Sequence, residues 1–269
     1  VNGTTNYILT KMSEDGVSYG EALAKAQQLG YAERDPTADV EGFDAGAKAA
    51  ILATIAFGAS VVAGDVYHEG ISAVTPADIA FAHRLSYEIK LLAVAEQGDD
   101  GRVAVRVHPA MVPKSHPLAG VRGSFNAVFI EGDAVGELML YGRGAGGRPT
   151  ASAVLGDIVD AAGNLRRGTS ATVGALPRAV IRPIDEVRSE FYLHLEVLDR
   201  PGVLHAVSGV FAEHGVSIRS MEQEGLGAEA RLIFITHEAA ESAVQATLAS
   251  LRSLDVVDRV TSMLRVVAG

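Results

Sequence analysis

Residues 191–204 run Phe191-Tyr192-Leu193-His194-Leu195-Glu196-Val197-Leu198-Asp199-Arg200-Pro201-Gly202-Val203-Leu204, and this stretch decides the fold of the second half of the chain. Phe191, Leu193, Leu195 and Val197 alternate with Tyr192, His194 and Glu196, the period of two that divides a strand into two faces. The Pro201-Gly202 turn then leads straight into helical spacing from Val203. Working outward, strands are expected over residues 191–199, 217–224, 231–237 and 256–267, with helices over 203–214 and 239–254. That order is βαββαβ, the ferredoxin-like arrangement. Its two helices should cover the apolar sheet face, leaving the other face wet or shared.

Upstream, residues 164–189 carry Arg166-Arg167-Gly168, two prolines and little periodicity, as an interdomain linker does. A chain of 269 residues fits two units better than one. The expected division is a first unit over 1–165, a linker over 166–189 and a second unit over 190–269, with the boundary near Arg188. Hydrophobic residues at 48% and charged residues at 21% exclude wholesale disorder. A net charge of −10 without a basic run opposes nucleic acid as a partner. The absence of cysteine removes disulfides and thiolate metal sites, and no apolar run approaches the roughly 18 residues of a membrane span. These features favour a cytoplasmic protein with no membrane partner. The chain opens at Val1 without an initiator methionine or leader, which reads as the middle of something larger.

In the first unit, helical spacing over residues 5–11 and 19–29 is broken by Glu14-Asp15-Gly16. Residues 30–42 are polar and turn-rich. Residues 44–57 read as a helix apolar on nearly every face, hence an interior helix. Strands are expected over 102–107, 127–131 and 137–141, followed by a glycine-rich loop at 142–149 and a helix over 150–162. The first unit is therefore α+β, with a mixed or antiparallel sheet carrying helices.

Chemistry concentrates between Gly30 and Lys48. Glu33, Asp35, Asp39 and Asp44 lie ahead of a helix or in its first turn, and Lys48 follows Asp44 by one helical turn on the same face. Asp44 and Lys48 are the only charges between positions 44 and 57, so the lysine should be paired or set in a cleft. Three readings stand: an intrahelical ion pair with solvated turn acids, a functional site, or a carboxylate site for a hard cation that lacks EF-hand spacing. No histidine pair has the spacing of a metal site; His108 and His116 read as structural, and no metal is expected.

Asn2-Gly3-Thr4-Thr5-Asn6-Tyr7-Ile8-Leu9, the run from Gly30 to Lys48, Ile89-Lys90-Leu91-Leu92-Ala93, Val107-His108-Pro109, His116-Pro117-Leu118-Ala119, and Gly144-Ala145-Gly146 with Pro149-Thr150-Ala151-Ser152-Ala153-Val154 together resemble homoserine dehydrogenases over residues 1 to about 165. The resemblance implies reversible NAD(P)H reduction of L-aspartate 4-semialdehyde to L-homoserine, on the route to threonine, methionine and isoleucine. Carried over by motif, Gly3, Thr4, Tyr31, Glu33 and Asp39 would bind substrate, Glu33 holding its ammonium. Asp44 and Lys48 would act at the reacting oxygen. Gly144, Ala145 and Gly146 would approach the cofactor, NAD or NADP, and residues 142–162 would pack on a nucleotide-binding domain. That domain, with its G-x-G-x-x-G turn and a second lysine, is not in this sequence, so the chain alone is expected to be inactive. Lys90 belongs to the resemblance without a catalytic role.

Residues 198–204 resemble an ACT domain, a small-molecule sensor module. Asp199, Gly202, Val203 and Leu204 would then hold a regulatory amino acid, L-threonine in the first instance, at the start of a helix. A plain dimerisation domain is the alternative, and a homodimer or homotetramer is expected either way. From a different class, the whole chain could be a non-catalytic amino-acid-binding or oligomerisation fragment.

Overall fold

The computed structural model describes residues 1–169, 175–225 and 230–267. Positions 170–174 of the expected linker and the last two positions of the expected second unit lie outside the described residues. Asn2 caps α1 (Gly3–Asp15), and a Ser18–Glu21 capping box opens α2 (Tyr19–Gln28). The short α3 (Thr37–Val40) turns through Gly42 into α4 (Phe43–Phe57). Gly42 has φ 84°, and a Cβ there would lie 3.1 Å from the Val107 side chain, so both backbone and packing require glycine. Then come β1 (Tyr67–His68), α5 (Pro76–Arg84), β2 (Tyr87–Gln97), β3 (Val103–Pro113), the hairpin β4 (Phe125–Gly132) and β5 (Gly136–Arg143), and α6 (Gly147–Arg167). The second half holds β6 (Arg188–Val197), α7 (Val203–Glu213), β7 (Ile218–Glu224), β8 (Arg231–Thr236), β9 (Ala239–Ala240), α8 (Glu241–Leu251) and β10 (Val257–Val266).

In the second half the sheet order is β10-β6-β8-β7 with antiparallel neighbours, the ferredoxin-like arrangement expected from the alternation at residues 191–197. Phe191, Leu193, Leu195 and Val197 pack against Val203, Val207, Phe211, Val244 and Leu248 of the two helices. The opposite face is shared rather than wet. Tyr192 and His194 are buried against α5, where the Tyr192 hydroxyl reaches Asp78 at 3.4 Å and the His194 ring meets Phe81 edge-on at 5.4 Å. The sheet also continues into the first half. Arg265 and Val266 of β10 pair in parallel with Ala110 and Met111 of β3, which carries β1 and β2 on its own flanks.

One expectation is corrected, and two further segments gain definition. The helix at 44–57 is not an interior helix: Ile51 and Ile55 are 60% and 73% exposed, and the buried positions are Ala45, Gly46, Ala49, Ala50 and Ala53. Small side chains let α4 lie close on β2 and β3, and the large ones point away. The expected linker is not a free tether from residue 175 on. Ser60 and Ala179 exchange backbone bonds with the 177–179 and 60 positions, and Val103 does the same with Val180 and Arg182. Residues 89–93, read as a motif, lie within β2 (Tyr87–Gln97), which is paired along its whole length with β3.

Arg265 joins the halves. Its guanidinium donates to both oxygens of Glu241 at 2.9 and 2.8 Å and to both oxygens of Glu69 at 3.1 and 3.0 Å. Burial opposes its charge, yet the Glu69 and Glu241 carboxylates outweigh burial and hold its pKa above the ordinary arginine value. Replacing Arg265 with Met should therefore cost about 3–5 kcal/mol in urea unfolding, because the buried Glu241 loses its counter-charge. An unchanged unfolding midpoint would show that the cluster bears no part of the joint.

Candidate active site

Three segments remote in sequence meet at the head of α1. Asn2 is buried; its Oδ1 accepts from the Thr5 amide at 2.9 Å and the Thr5 hydroxyl at 3.0 Å. Its Nδ2 donates to Asp39 Oδ1 at 2.7 Å and Asp44 Oδ2 at 2.8 Å. Asp44, in the first turn of α4, accepts from Lys48 Nζ at 2.6 Å, and Lys48 also donates to the Val1 carbonyl at 3.2 Å. The lysine expected to be paired or in a cleft is paired, with a side chain 46% exposed.

Beside this chain of bonds, Thr4 Oγ1 donates to the Tyr31 carbonyl at 2.7 Å, and the Tyr7 and Tyr31 rings lie 4.9 Å apart. Gly3 presses on the next segment, since a Cβ there would lie 2.8 Å from the Ser124 carbonyl oxygen. Glu33 sits at the exposed margin, its carbonyl held by Gln27 Nε2 at 2.9 Å. Asp35 stays apart from the cluster. It accepts from the Thr37 hydroxyl and amide, which together hold its carboxyl below the usual range. The structure thus brings Asp39, Asp44 and Lys48 into one hydrogen-bonded unit, with Gly3, Thr4 and Tyr31 alongside. Chemically, a paired and accessible ammonium can stabilise negative charge developing on a bound oxygen and exchange a proton with it.

Asn2 is the residue that sequence reading missed. An asparagine three positions ahead of Thr5 signals a helix cap, but its bonds to Asp39 and Asp44 span 37 and 42 residues. Lys90 is the second. On β2, only 7% exposed, it donates to Asn6 Oδ1 at 3.2 Å and the Val121 carbonyl at 2.5 Å, and burial pulls its ammonium down to about 8. Lys90, Asn2, Asn6, Phe125, Asn126 and Phe129 line a cleft of about 110 Å³. Gly144 closes on Asn126, whose amide nitrogen would lie 2.0 Å from a Cβ at that position. A side chain at Gly144 would have to displace the Asn126 amide.

Gly146 caps α6, and the loop leads there from β5, whose partner is the antiparallel β4. This is not a βαβ unit, and the loop does not fit a dinucleotide cradle. Among the described residues no group of three or more His, Cys, Asp or Glu side chains could hold a metal ion. No helix of the described residues is long and apolar enough to cross a membrane. His116 accepts from the Leu118 amide, and His108 is buried with its pKa far below the usual value through burial and the nearby Arg265 and Arg106. A second cleft, about 380 Å³, is lined by residues 198–204 with Gln223 and Leu232, where Gly202 at φ 91° caps α7.

A core that joins a hydrogen-bonded Asp–Lys pair to a ferredoxin-like module through one sheet defines a class of two-part α+β proteins. The family model for homoserine dehydrogenase matches residues 1–159, and that for the ACT domain matches residues 192–256. The homoserine dehydrogenase of Mycobacterium tuberculosis is 51% identical over 98% of this chain and 63% of its own length, and that of Corynebacterium glutamicum is 50% identical over 98% and 61%. The crystal structure of a homoserine dehydrogenase from Thiobacillus denitrificans superposes with a TM-score of 0.93 at 39% identity, covering 99% of this chain and 62% of that one. The chain belongs to the homoserine dehydrogenase family and carries an ACT domain. It spans less than two thirds of the length of these relatives.

The Lys90 environment has a pH signature. Its folded pKa of about 8 lies below the ordinary 10.5, so between these values the unfolded chain binds more protons and stability rises with pH. From pH 8 to 9 the wild type should gain roughly 1 kcal/mol relative to Lys90→Met in urea unfolding. Parallel pH profiles for the two proteins would contradict a depressed Lys90.

Proposed function

We propose that the chain is the catalytic core and regulatory module of an NAD(P)-dependent homoserine dehydrogenase, which interconverts L-aspartate 4-semialdehyde and L-homoserine in the biosynthesis of threonine, methionine and isoleucine. The observation that carries this reading is the Asp44–Lys48 pair, tied through Asn2 to Asp39 beside Thr4 and Tyr31. A nicotinamide dinucleotide, when bound, would supply the hydride. Hydride addition to an aldehyde carbon builds negative charge on its oxygen, and Lys48 stabilises that charge and gives up the proton that makes the alcohol. Asp44 aims the ammonium. Glu33 and Asp39 meet the substrate ammonium, and the backbone at Gly3 and Thr4, at the start of α1, meets its carboxylate.

Residues 1–165, 166–189 and 190–269 serve as catalytic unit, linker and regulatory unit. Gly144, Ala145 and Gly146 border the nicotinamide side. The exposed Val154, Leu155, Ile158 and Val159 of α6 pack on the nucleotide-binding domain, since none of this helix is buried among the described residues. The cleft around Asp199, Gly202, Val203 and Leu204 takes L-threonine as feedback effector in a cytoplasmic homodimer or homotetramer.

Because the chain spans less than two thirds of its relatives' length, Lys48→Ala is best assayed in a protein of the relatives' full length. Its kcat for homoserine oxidation should fall by about 10²–10³ with folding retained. A near-wild-type rate would reduce the pair to a surface ion pair. Calorimetric titration should show millimolar or tighter threonine binding, abolished by Gly202→Val; binding by neither protein would leave the module an assembly element.

A further inference from the structure

Asn2 is wired in only one way. Its Oδ1 faces the Thr5 backbone N–H, which can only donate, so Nδ2 must face the two carboxylates, which when ionised can only accept. Each hydrogen of the Asn2 amide is thereby committed to a different acid, one from α3 and one from α4. Val1, the preceding residue, takes the Lys48 ammonium on its carbonyl. The Val1–Asn2 segment therefore touches Asp39, Asp44 and Lys48 together.

Two carboxylates drawn onto one nitrogen repel each other, and the two N–H groups of that nitrogen hold them together. Asp44 Oδ2 accepts from both Lys48 and Asn2, so the place at which Asn2 holds this oxygen sets the place of the ammonium. We infer that Asn2 is the positioning residue of the site: its amide holds the Asp39 and Asp44 carboxylates side by side and so fixes where the Lys48 ammonium points. The inference rests on the proposed dehydrogenase reading for its kinetic consequence, and on the geometry alone for its electrostatic one.

The decisive variant is Asn2→Asp. Aspartate caps a helix about as well as asparagine, so α1 keeps its start, while two donors are replaced by an acceptor facing two carboxylates. In the full-length protein, kcat should fall about 10- to 100-fold with a smaller change in KM, and the acid limb of the pH–rate profile should move up by about one unit or more. In the 269-residue chain, ¹³C NMR titration of the aspartate carboxyls should show the Asp39 and Asp44 transitions moving up in the variant, whatever the enzymatic activity. Asn2→Ser, which caps without serving both acids, should lower kcat several-fold at an unchanged unfolding midpoint, and it carries the test if Asn2→Asp does not fold. Unmoved carboxyl titrations would make Asn2 a helix cap only. Shifted titrations with an unmoved pH–rate profile would overturn its part in the reaction. Absence of homoserine oxidation in the wild-type full-length protein would instead refute the dehydrogenase reading, leaving the carboxyl titration to decide the role of Asn2.

Discussion

The architecture turns on one guanidinium. Arg265, buried at the end of β10, is forked onto Glu241 of its own half and onto Glu69 of the other. Removing such a charge from water is costly, so the cluster is better understood as fixing which strand meets which than as a source of net stability. A slip of β10 along β3 would strand Arg265 away from Glu69. The parallel pairing of Arg265 with Ala110 and of Val266 with Met111 is the register that satisfies it.

That register reaches Asp39 and Asp44 through close packing. The Glu69 amide donates to the Val107 carbonyl, and the Ile71 amide to the Val40 carbonyl. Between them Gly70 has no room for a side chain, since a Cβ would lie 2.4 Å from the Val40 carbonyl oxygen. Gly42 lies close to the same segment, where a Cβ would be 3.2 Å from the Glu69 carbonyl oxygen and 3.1 Å from Val107. The turn that separates Asp39 from Asp44 is thus seated on the segment that Arg265 holds. The Asp39 and Asp44 carboxylates and the ACT half share one support, although 196 residues separate Glu69 from Arg265.

What could be read from the sequence follows the range of the interaction. The alternation at 191–197 and the Pro201-Gly202 turn are local, and they were enough for the βαββαβ module. The Asp44–Lys48 pair is also local, set by one helical turn. The contacts of Asn2 with Asp39 and Asp44, and of Arg265 with Glu69, depend on tertiary placement, and no spacing rule encodes them. The burial of α4 was misread because hydrophobicity was taken as a guide to depth. In this helix closeness to the sheet is set by the absence of side-chain volume, so the alanines went in and Ile51 and Ile55 stayed out. The strand at 87–97 escaped notice because its central apolar run, broken by a single lysine, lacks the alternation that marks a half-buried strand.

Two lysines of the first half, Lys90 and Lys48, show how burial and pairing divide the labour. Lys90 is enclosed among neutral acceptors, Asn6 and the Val121 carbonyl, and burial lowers its affinity for a proton. That suits it to fasten α1 and the 117–121 turn to β2, since an ammonium satisfied by backbone and amide oxygens holds those oxygens in place. Lys48 is in the opposite situation. It is half exposed, has a carboxylate partner, and lies on the first turns of a helix whose start is anchored by Gly42. An approaching ligand oxygen can reach it without unfolding anything, and its counter-charge Asp44 is itself held by Asn2 rather than by solvent. Charge that must act on a ligand has to be both accessible and preorganised, and of these two lysines Lys48 alone meets both conditions.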